Sequence, residues 1–297
     1  MKIESLEELR IFAQIVESGS LTAAARALGL PSNTVSRRLA ALEERLDTRL
    51  LYRTTRSLSL SETGRILLSR ARRILQEVEA TETALQGEKE GLSGMVRISV
   101  PSLLTADLLA SMKALLREHP GLRLQVRVND KPVNPVAEGL DVVVIGGTLS
   151  DSTLIARKLS DIHPVLVASE EYLHRRGHPE KPADLIDHEI LLFVRDPPQS
   201  HFTLTDSSGH QHTVAVEGRF EADDGRTLMD ALAAGIGIGL TSPRIMRVTP
   251  SLRRVLPGYS LGSFPIYAIY PASRQRSARL QVVIEALRGV LQDPEQG

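Results

Sequence analysis

Cysteine is absent from this chain of 297 residues. Its absence excludes disulfide bonds, thiolate metal sites and a cysteine nucleophile, and it leaves the redox compartment undetermined. Long apolar runs are absent too, since none approaches the roughly 20 residues that a membrane-spanning helix needs. The first ten residues carry Glu4, Glu7, Glu8 and Arg10, which excludes a signal peptide. We therefore expect a soluble, cytoplasmic protein that has no membrane partner.

An overall excess of charge is missing as well, because 36 basic and 36 acidic residues give a net charge of zero. The charge is unevenly distributed, however. Residues 26–73 contain eleven arginines and four acidic residues, a local excess of 11 − 4 = +7. This asymmetry is typical of nucleic-acid binding at the N-terminal end. A solvated helix surface explains Arg70, Arg72 and Arg73 well. It is a weaker explanation for Arg37, Arg38, Arg53 and Arg56.

Two helical patterns with a tight break between them lie in the segment from Ser20 to Leu46. Each has one apolar face, formed by Leu21, Ala24, Ala25 and Leu28 in the first and by Val35, Leu39, Leu42 and Leu46 in the second. Gly29 would end the first helix in the left-handed conformation, and Ser32 would cap the second. A short helix, a turn around a glycine and a longer helix are the pattern of a helix-turn-helix.

The polar side of the second helix carries side chains suited to DNA. The candidates near its N-terminus are Ser32, Asn33, Thr34, Ser36, Arg37 and Arg38. When such a helix enters a major groove, amide and guanidinium groups can reach base edges and phosphates. We predict that Asn33 and Thr34 contact base edges. Arg37 and Arg38 would contact bases or phosphates, and Ser36 would contact a phosphate.

A further helix and a hairpin flank this pair. Ser5 and Glu8 form a capping box in front of an apolar helical stripe. On the other side, two short apolar runs enclose an Arg-Thr-Thr-Arg tip, which predicts a two-stranded wing. The wing would place Arg53 and Arg56 against the phosphate backbone or the minor groove, and Thr55 against a phosphate.

A long helix is predicted to begin after Ser61 and to run to about Gly87. Its apolar positions alternate in steps of four and three, at Leu67, Ala71, Ile74, Val78, Thr81 and Leu85. We interpret this seam as a helix pair between two chains. The alternative is one amphipathic helix that lies on its own domain. Glycines at positions 87, 91 and 94, with charges between them, predict a hinge.

From Met95 onward strands alternate with helices, which predicts a layered α/β domain with parallel strands. The expected strands cover residues 95–100, 122–128, 141–145, 164–168, 190–194, 202–206, 213–217 and 265–270. The expected helices cover residues 103–118, 133–138 and 227–234, and a last helix follows Ser277.

Three motifs suggest a hydrolase, a dinucleotide-binding loop and a zinc site, but each lacks the neighbouring residues or elements that such a site needs. Residues 258–262 match the G-x-S-x-G elbow, but a strand pattern follows them and no histidine lies beyond His212. Residues 235–239 follow a helix, so tight helix–strand packing explains their glycines better than a dinucleotide loop. His174 and His178 lack a third ligand for zinc. We expect no enzyme activity, no metal and no cofactor.

The first ninety positions resemble the N-terminal domain of LysR-type transcriptional regulators. The matching residues are Leu9, Phe12, Gly19, Ser20, Ala24, Ala25, Leu28, Ser32, Val35, Ser36, Leu42, Glu43, Leu50, Arg53, Leu60 and Gly64. The remainder resembles the co-inducer domain of one branch of that family. The chain departs from the family at Asp47, where glycine is usual, and at Asn33, where glutamine is common. It also has Ile145 and Gly146 where the branch often carries an arginine and a hydrophobic residue.

The resemblance implies a multi-domain fold, with an N-terminal all-α winged helix-turn-helix, a long linker helix and a C-terminal α/β effector domain. The implied ranges are 1–61 for DNA binding, 62–90 for the linker and dimerisation helix, and 91–297 for the effector domain. The effector domain would be two-lobed and periplasmic-binding-protein-like (type 2). Its first lobe would cover 91–162 and 266–297, and its second lobe 163–265.

Ligand would lie in the cleft between these lobes, where strand ends and helix N-termini converge. The candidate effector contacts are Ser102, Thr105, Thr148, Arg195 and Asp224. Helix capping explains Ser102, Thr105 and Asp224 about as well as ligand binding does.

The resemblance also implies partners. These are double-stranded operator DNA, a small-molecule effector, a second copy of the chain paired through the linker helix, a homotetramer of two such dimers, and RNA polymerase. An effector that closes the cleft would shift the population between two subunit arrangements. The alternative from another class is a solute-binding or enzymatic α/β domain whose helical N-terminus serves only protein contacts.

Overall fold

A computed structural model describes residues 3–53, 58–86, 92–149, 153–195 and 197–292 of the chain. Contacts divide the chain into two units. The first consists of Met1–Gly91, Asn134–Asp141 and Ser273–Ser277, and the second of Leu92–Val133, Val142–Ala272 and Ala278–Gly297. Within the described ranges, no helix is both long enough and apolar enough to cross a bilayer.

The first ninety residues form four helices and a small hairpin within the described part. In order these are α1 (Leu6–Ser18), α2 (Leu21–Leu28), α3 (Ser32–Leu46), β1 (Leu51–Arg53), β2 (Leu58–Leu60) and α4 (Glu62–Gln86). The Ser5 hydroxyl accepts the Glu8 amide as predicted, while the Glu8 carboxylate accepts the Glu4 amide rather than that of Ser5. Gly29 ends α2 with φ 64°, in the left-handed conformation that was predicted.

The start of α3 differs from the prediction. Ser32 is the first residue of the helix, Pro31 occupies the cap position, and no side chain caps this end. The Pro31 carbonyl accepts the amides of Thr34 and Val35 at 3.0 and 3.2 Å. The proline ring fixes φ near −61°, which suits the extended cap residue, so the turn does not need the Ser32 hydroxyl. The predicted capping role of Ser32 is therefore wrong.

The apolar face of α3 is buried as predicted. Val35, Leu39 and Leu42 are each at most 1% exposed, and Leu46 is 8% exposed. They belong to one core together with Phe12 and other residues of α1 and α2. The orientation of α3 is therefore fixed by its own hydrophobic stripe.

The wing strands are also confirmed, because β1 pairs antiparallel with β2 and Leu51 lies opposite Leu60. The predicted contacts Thr55 and Arg56 lie outside the described residues, and so does the side chain of Arg53. Where the wing leads into α4, the backbone of Gly64 lies close to that of Leu50. A Cβ on Gly64 would collide with the Leu50 carbonyl oxygen, so only glycine fits there.

The predicted seam of α4 is partly wrong. Ala71 is fully buried and Leu68 is 7% exposed, because this part of α4 packs on α1 in the same unit. Ala71 cannot therefore face a second chain. Ile66 and Ile74 are 60% and 41% exposed instead. The side chain of Leu85, and the predicted hinge residues 87 and 91, lie outside the described residues.

The rest of the chain alternates strands and helices. The first part has β3 (Gly94–Val100), α5 (Thr105–Glu118), β4 (Leu122–Val128), α6 (Pro135–Glu138), β5 (Val142–Gly146) and β6 (Ile155–Ile162). The middle has β7 (Val165–Ser169), α7 (Glu170–Arg176), β8 (Ile190–Phe193), β9 (His201–Thr205), β10 (Gln211–Ala215) and β11 (Gly218–Ala222). The last part has α8 (Gly225–Ala233), β12 (Gly239–Thr241), α9 (Pro243–Arg247), β13 (Leu252–Val255), β14 (Phe264–Tyr270) and α10 (Ala278–Leu291).

The strands of the second unit form two groups, which we call the first and second lobes. The first lobe is a five-stranded sheet of order β4-β3-β5-β14-β6, covered by α5 and α10. The second lobe contains the sheets β12-β7-β13 and β11-β8 and the hairpin β10-β9. The prediction of parallel strands holds for β3, β4 and β5 and for β8 with β11, whereas β14 runs antiparallel to both neighbours.

The chain passes between the lobes twice, from β6 into β7 and from β13 into β14. Phe264 pairs with Ile162 at the point where both crossings meet the first lobe. Tight packing explains the glycine-rich segment 235–239, because a Cβ on Gly237 would collide with the Glu189 carbonyl oxygen. The segment 258–262 leads into β14 and not into a helix, so it does not form a nucleophile elbow.

Asp47 gives a test of backbone strain at the end of α3. It has φ 49° in the left-handed region, which costs an ordinary L-residue roughly 1–2 kcal/mol. We expect Asp47→Gly to raise the free energy of unfolding by about 0.5–1 kcal/mol, because glycine adopts this conformation without a clash. Asp47→Ala is the control and should lower it. Urea unfolding of the three proteins gives the order, and a glycine variant less stable than the alanine variant would contradict this explanation.

Candidate DNA interface and ligand cleft

The outer face of α3 carries the predicted DNA contacts. Ser32, Asn33 and Arg37 are exposed, while Thr34, Ser36 and Arg38 are partly exposed. These residues lie in the first two turns of the helix, on the side opposite its buried leucines. The face therefore offers an amide, three hydroxyls and two guanidinium groups to solvent.

Some arginines of the N-terminal unit form ion pairs within the protein. Arg38 forms an ion pair with Glu7, and Arg45 forms one with Glu8, so carboxylates of α1 offset part of the positive charge counted over residues 26–73. The hydrogen bond that the Arg38 guanidinium donates to the Glu7 carboxylate raises the pKa of Arg38 above its usual value. Within the described residues, no carboxylate pairs with Arg37. Arg37 is thus better placed than Arg38 to contact a nucleic acid.

The carboxyl ends of parallel strands in the two lobes bring together a second set of polar residues. In the first lobe Ser102 follows β3, Asp130 follows β4 and Thr148 follows β5. In the second lobe Arg195 follows β8, and Asp224 follows β11 at the N-terminus of α8. Ligands of α/β proteins bind outside the carboxyl ends of such strands. We call this region the interlobe cleft.

Asp130 connects the two lobes through hydrogen bonds. Its Oδ1 accepts the Ser102 amide at 2.7 Å, and its Oδ2 accepts the Ser102 hydroxyl at 2.6 Å and the Gly225 amide at 2.8 Å. The Ser102 hydroxyl oxygen in turn accepts the Arg226 amide at 3.1 Å. Ser102 and the start of α8 are therefore in direct contact.

Two of the predicted effector residues make local hydrogen bonds. The Thr105 hydroxyl donates to the Ser102 carbonyl at 2.8 Å. Asp224 accepts the Thr227 amide at 2.8 Å and caps α8, and the hydrogen bonds from Thr227 lower the pKa of its carboxyl. Helix capping, the alternative that the sequence left open, is thus observed for Asp224.

The other end of the cleft is aromatic. The Arg195 guanidinium carbon lies 5.6 Å from the centre of the Phe264 ring and 5.9 Å from that of Phe193. These distances are those of cation–π contacts, and desolvation lowers the pKa of Arg195. A Cβ on Gly146 would collide with the Phe264 ring, so glycine makes room for it. Thr148, two residues further on, is exposed.

Asp130 and Phe264 were not predicted as site residues. The sequence contained a signal for Asp130. It lies two residues after the predicted strand 122–128, as Ser102 lies two residues after the predicted strand 95–100. The position of Phe264 depends on which strand crosses between the lobes and which glycines accept its ring. Within the described residues, no group of three or more histidine, aspartate or glutamate side chains is placed to hold a metal ion.

A winged helix-turn-helix followed by a two-lobed α/β domain is the architecture of a DNA-binding transcriptional regulator with its own effector-binding domain. Residues 6–65 match the family described as "Bacterial regulatory helix-turn-helix protein, lysR family", and residues 89–292 match the "LysR substrate binding domain". The chain belongs to the LysR family of transcriptional regulators, which are not enzymes.

Relatives of known name and structure span nearly the whole chain. The HTH-type transcriptional activator AaeR of Escherichia coli K12 is 36% identical over 96% of this chain and 93% of its own. The structure of CrgA from Neisseria meningitidis is 32% identical with a TM-score of 0.61, and it covers 98% of this chain and 100% of its own. Full-length AphB, a virulence activator of Vibrio cholerae, is 29% identical with a TM-score of 0.60, over 96% and 99%.

The capping role of Asp224 gives a test that needs no ligand. Asp224→Ala removes the acceptor for the Thr227 amide and should lower the denaturation midpoint, while Asp224→Asn, which keeps an acceptor, should change it little. Asp223→Ala is the matched control, because the ion pair of Asp223 with Lys131 is exposed and contributes little. Identical midpoints for the Asp224→Ala and Asp223→Ala variants in urea would refute the cap.

Proposed function

We propose that α3 is the recognition helix of this regulator and lies in the major groove of operator DNA. The observation that carries the proposal is the division of its surface, with Val35 and Leu39 buried and Asn33 and Arg37 exposed. Asn33 has the paired donor and acceptor that suit adenine, and Arg37 can bind guanine or a phosphate. The remaining proposed contacts of this helix are Ser32, Thr34, Ser36 and Arg38.

The wing supplies the backbone contacts in this proposal. Its second strand, β2, contacts α4, and its tip would bring Arg53, Thr55 and Arg56 to the phosphates that flank the groove. The domain ranges 1–61, 62–90 and 91–297 then divide DNA binding, dimerisation and effector binding. A protein that acts on operator DNA works where the chromosome lies, which supports a cytoplasmic location.

The effector is proposed to be a small molecule bound in the interlobe cleft. Arg195 supports this, because its guanidinium lies within cation–π distance of two aromatic rings and has no carboxylate partner among the described residues. Ser102, Thr105, Thr148 and Asp224 line the same strand ends and complete the proposed contacts. An effector that binds one lobe arrangement better than the other would shift the population of the two and change the bend or affinity at the operator.

Pairing of two chains through α4 is proposed to place two recognition helices on one operator. Full-length structures of family members support oligomers. Ile66 and Ile74 are the exposed apolar residues that such a pair would cover. Half-sites would lie about one helical turn apart, and a tetramer of two dimers and RNA polymerase are further proposed partners.

Replacement of Arg37 tests the DNA interface. Arg37→Ala should weaken operator binding by about 5- to 100-fold if a bidentate base contact is lost, since such a contact contributes about 1–3 kcal/mol. If Arg37 binds a phosphate, the slope of log affinity against log salt should fall by about one unit instead. Fluorescence anisotropy with an operator selected from random DNA measures both.

Arg10→Ala is the matched control for that experiment, because Arg10 is an exposed arginine of α1 outside the helix-turn-helix pair. Its operator affinity should equal that of the unaltered protein. The proposal is wrong if Arg37→Ala also binds with unaltered affinity and salt slope at every salt concentration.

Replacement of Ile74 tests the helix pair. Ile74→Lys puts a charge where the second chain would lie, and we expect the dimer dissociation constant to rise at least about ten-fold. Arg70→Ala, one turn earlier on the same helix, should leave it unchanged. Sedimentation velocity over a concentration series measures the constant, and a dimer as stable as before would place the interface elsewhere.

A further inference from the structure

Two side chains of the described cleft, Asp130 and Ser102, hydrogen-bond to both lobes at the helix ends where an effector is proposed to bind, and Asp130 is the charged one. It belongs to the first lobe, at the end of β4, yet its Oδ2 accepts the amide of Gly225 at the N-terminus of α8 in the second lobe. The same carboxylate accepts the Ser102 amide and hydroxyl. A single carboxylate thus uses three donors drawn from both sides of the cleft.

The lobes are packed closely at this point. A Cβ on Gly225 would come within 2.7 Å of the Leu103 side chain, so there is no space for even a methyl group between α8 and the segment after β3. Gly225 itself is buried, and Ser102 and Asp130 are partly buried. Charge-assisted hydrogen bonds in such surroundings are about twice as strong as neutral ones.

Two other ion pairs also join the lobes, but they differ in strength. Lys131 in the first lobe pairs with Asp223 in the second at 2.6 Å, but both side chains are more than half exposed, and exposed pairs contribute little. Arg244 of α9 pairs with Asp107 of α5, with side chains 28% and 18% exposed, at a second point between the lobes. Around Ser102 the carboxylate of Asp130 is therefore the strongest contact.

We propose that Asp130 is an internal latch of the effector-binding domain, whose carboxylate holds the two lobes together by occupying the donors that an effector at Ser102 would use. The inference rests on the proposed function, since it assigns a role to a residue of the proposed effector cleft. An effector that reaches Ser102 displaces this carboxylate and must itself offer an acceptor to the amides of Ser102 and Gly225. A ligand that offers such an acceptor keeps the cleft closed after it displaces Asp130, and a ligand that lacks one opens it.

The distance between the lobes in the full chain tests the latch. Because the chain has no cysteine, spin labels can be attached at Lys113→Cys in the first lobe and His178→Cys in the second, both exposed positions. Labelled chains mixed with excess unlabelled chain report only the distance within one chain. We expect one main distance in the otherwise unaltered protein and a second, longer distance in Asp130→Ala, with the open-to-closed ratio raised about ten-fold or more.

Three further variants make the result specific. Ser102→Ala removes the hydroxyl between Asp130 and Arg226 and should shift the distances in the same direction by a smaller amount. Lys131→Ala should shift them least. Asp187→Ala removes an exposed carboxylate of the second lobe and should shift nothing. If Asp130→Ala fails to fold by circular dichroism, Asp130→Asn, which keeps the size but loses the charge, takes its place and should show the same second distance.

A distance distribution that is the same in the Asp130 and Asp187 variants overturns the latch. The measurement uses no effector and no DNA, so that outcome would leave the proposed function intact. The converse outcome is a small molecule that stabilises the unaltered protein, Ser102→Ala and Thr148→Ala by the same amount. That result would contradict the proposed effector contacts, while the interlobe distances would still test the latch.

Discussion

Burial of one face of α3 is the constraint on which the DNA-binding unit depends. Val35, Leu39 and Leu42 are almost fully buried, and burial of each such side chain stabilises the fold by roughly 1.5–3 kcal/mol. Rotation of α3 about its axis would lose that free energy, so the opposite face must point outward. The exposed position of Asn33 and Arg37 is a consequence of packing on the other side of the same helix.

In the effector-binding domain, too, the fold determines where the polar residues lie. Parallel strands in both lobes end at the cleft, and the polar residues that follow them meet there. Asp130 shows that such residues satisfy donors of the opposite lobe as well as donors of their own. The groups proposed to hold a ligand are therefore also groups that join the two lobes by hydrogen bonds.

Local periodicity predicted most of the fold, because helix stripes and strand runs are properties of short segments. It identified α3 and its buried face, the left-handed Gly29 and the wing strands. It failed where the outcome depended on a neighbour in space. Ser32 does not cap α3 because Pro31 forms the turn, and Ala71 is buried within its own chain.

The candidate sites were predictable to a similar extent. The residue types of the DNA-binding face followed from one helix, but the ion pair of Arg38 with Glu7 joins two helices and could not be read from α3 alone. At the cleft, helix starts made Ser102 and Asp224 candidates, and their effector role stays a prediction. The contact of Asp130 with the second lobe depends on how the two lobes pack and could not be predicted from one segment.

The central claim, that the exposed face of α3 reads the major groove, is tested most directly by dimethyl sulfate footprinting, because this reagent methylates guanine N7 in that groove. On a selected operator, protection of guanine N7 in two patches about one helical turn apart is the predicted result, and full reactivity of every guanine N7 in the bound operator would contradict it.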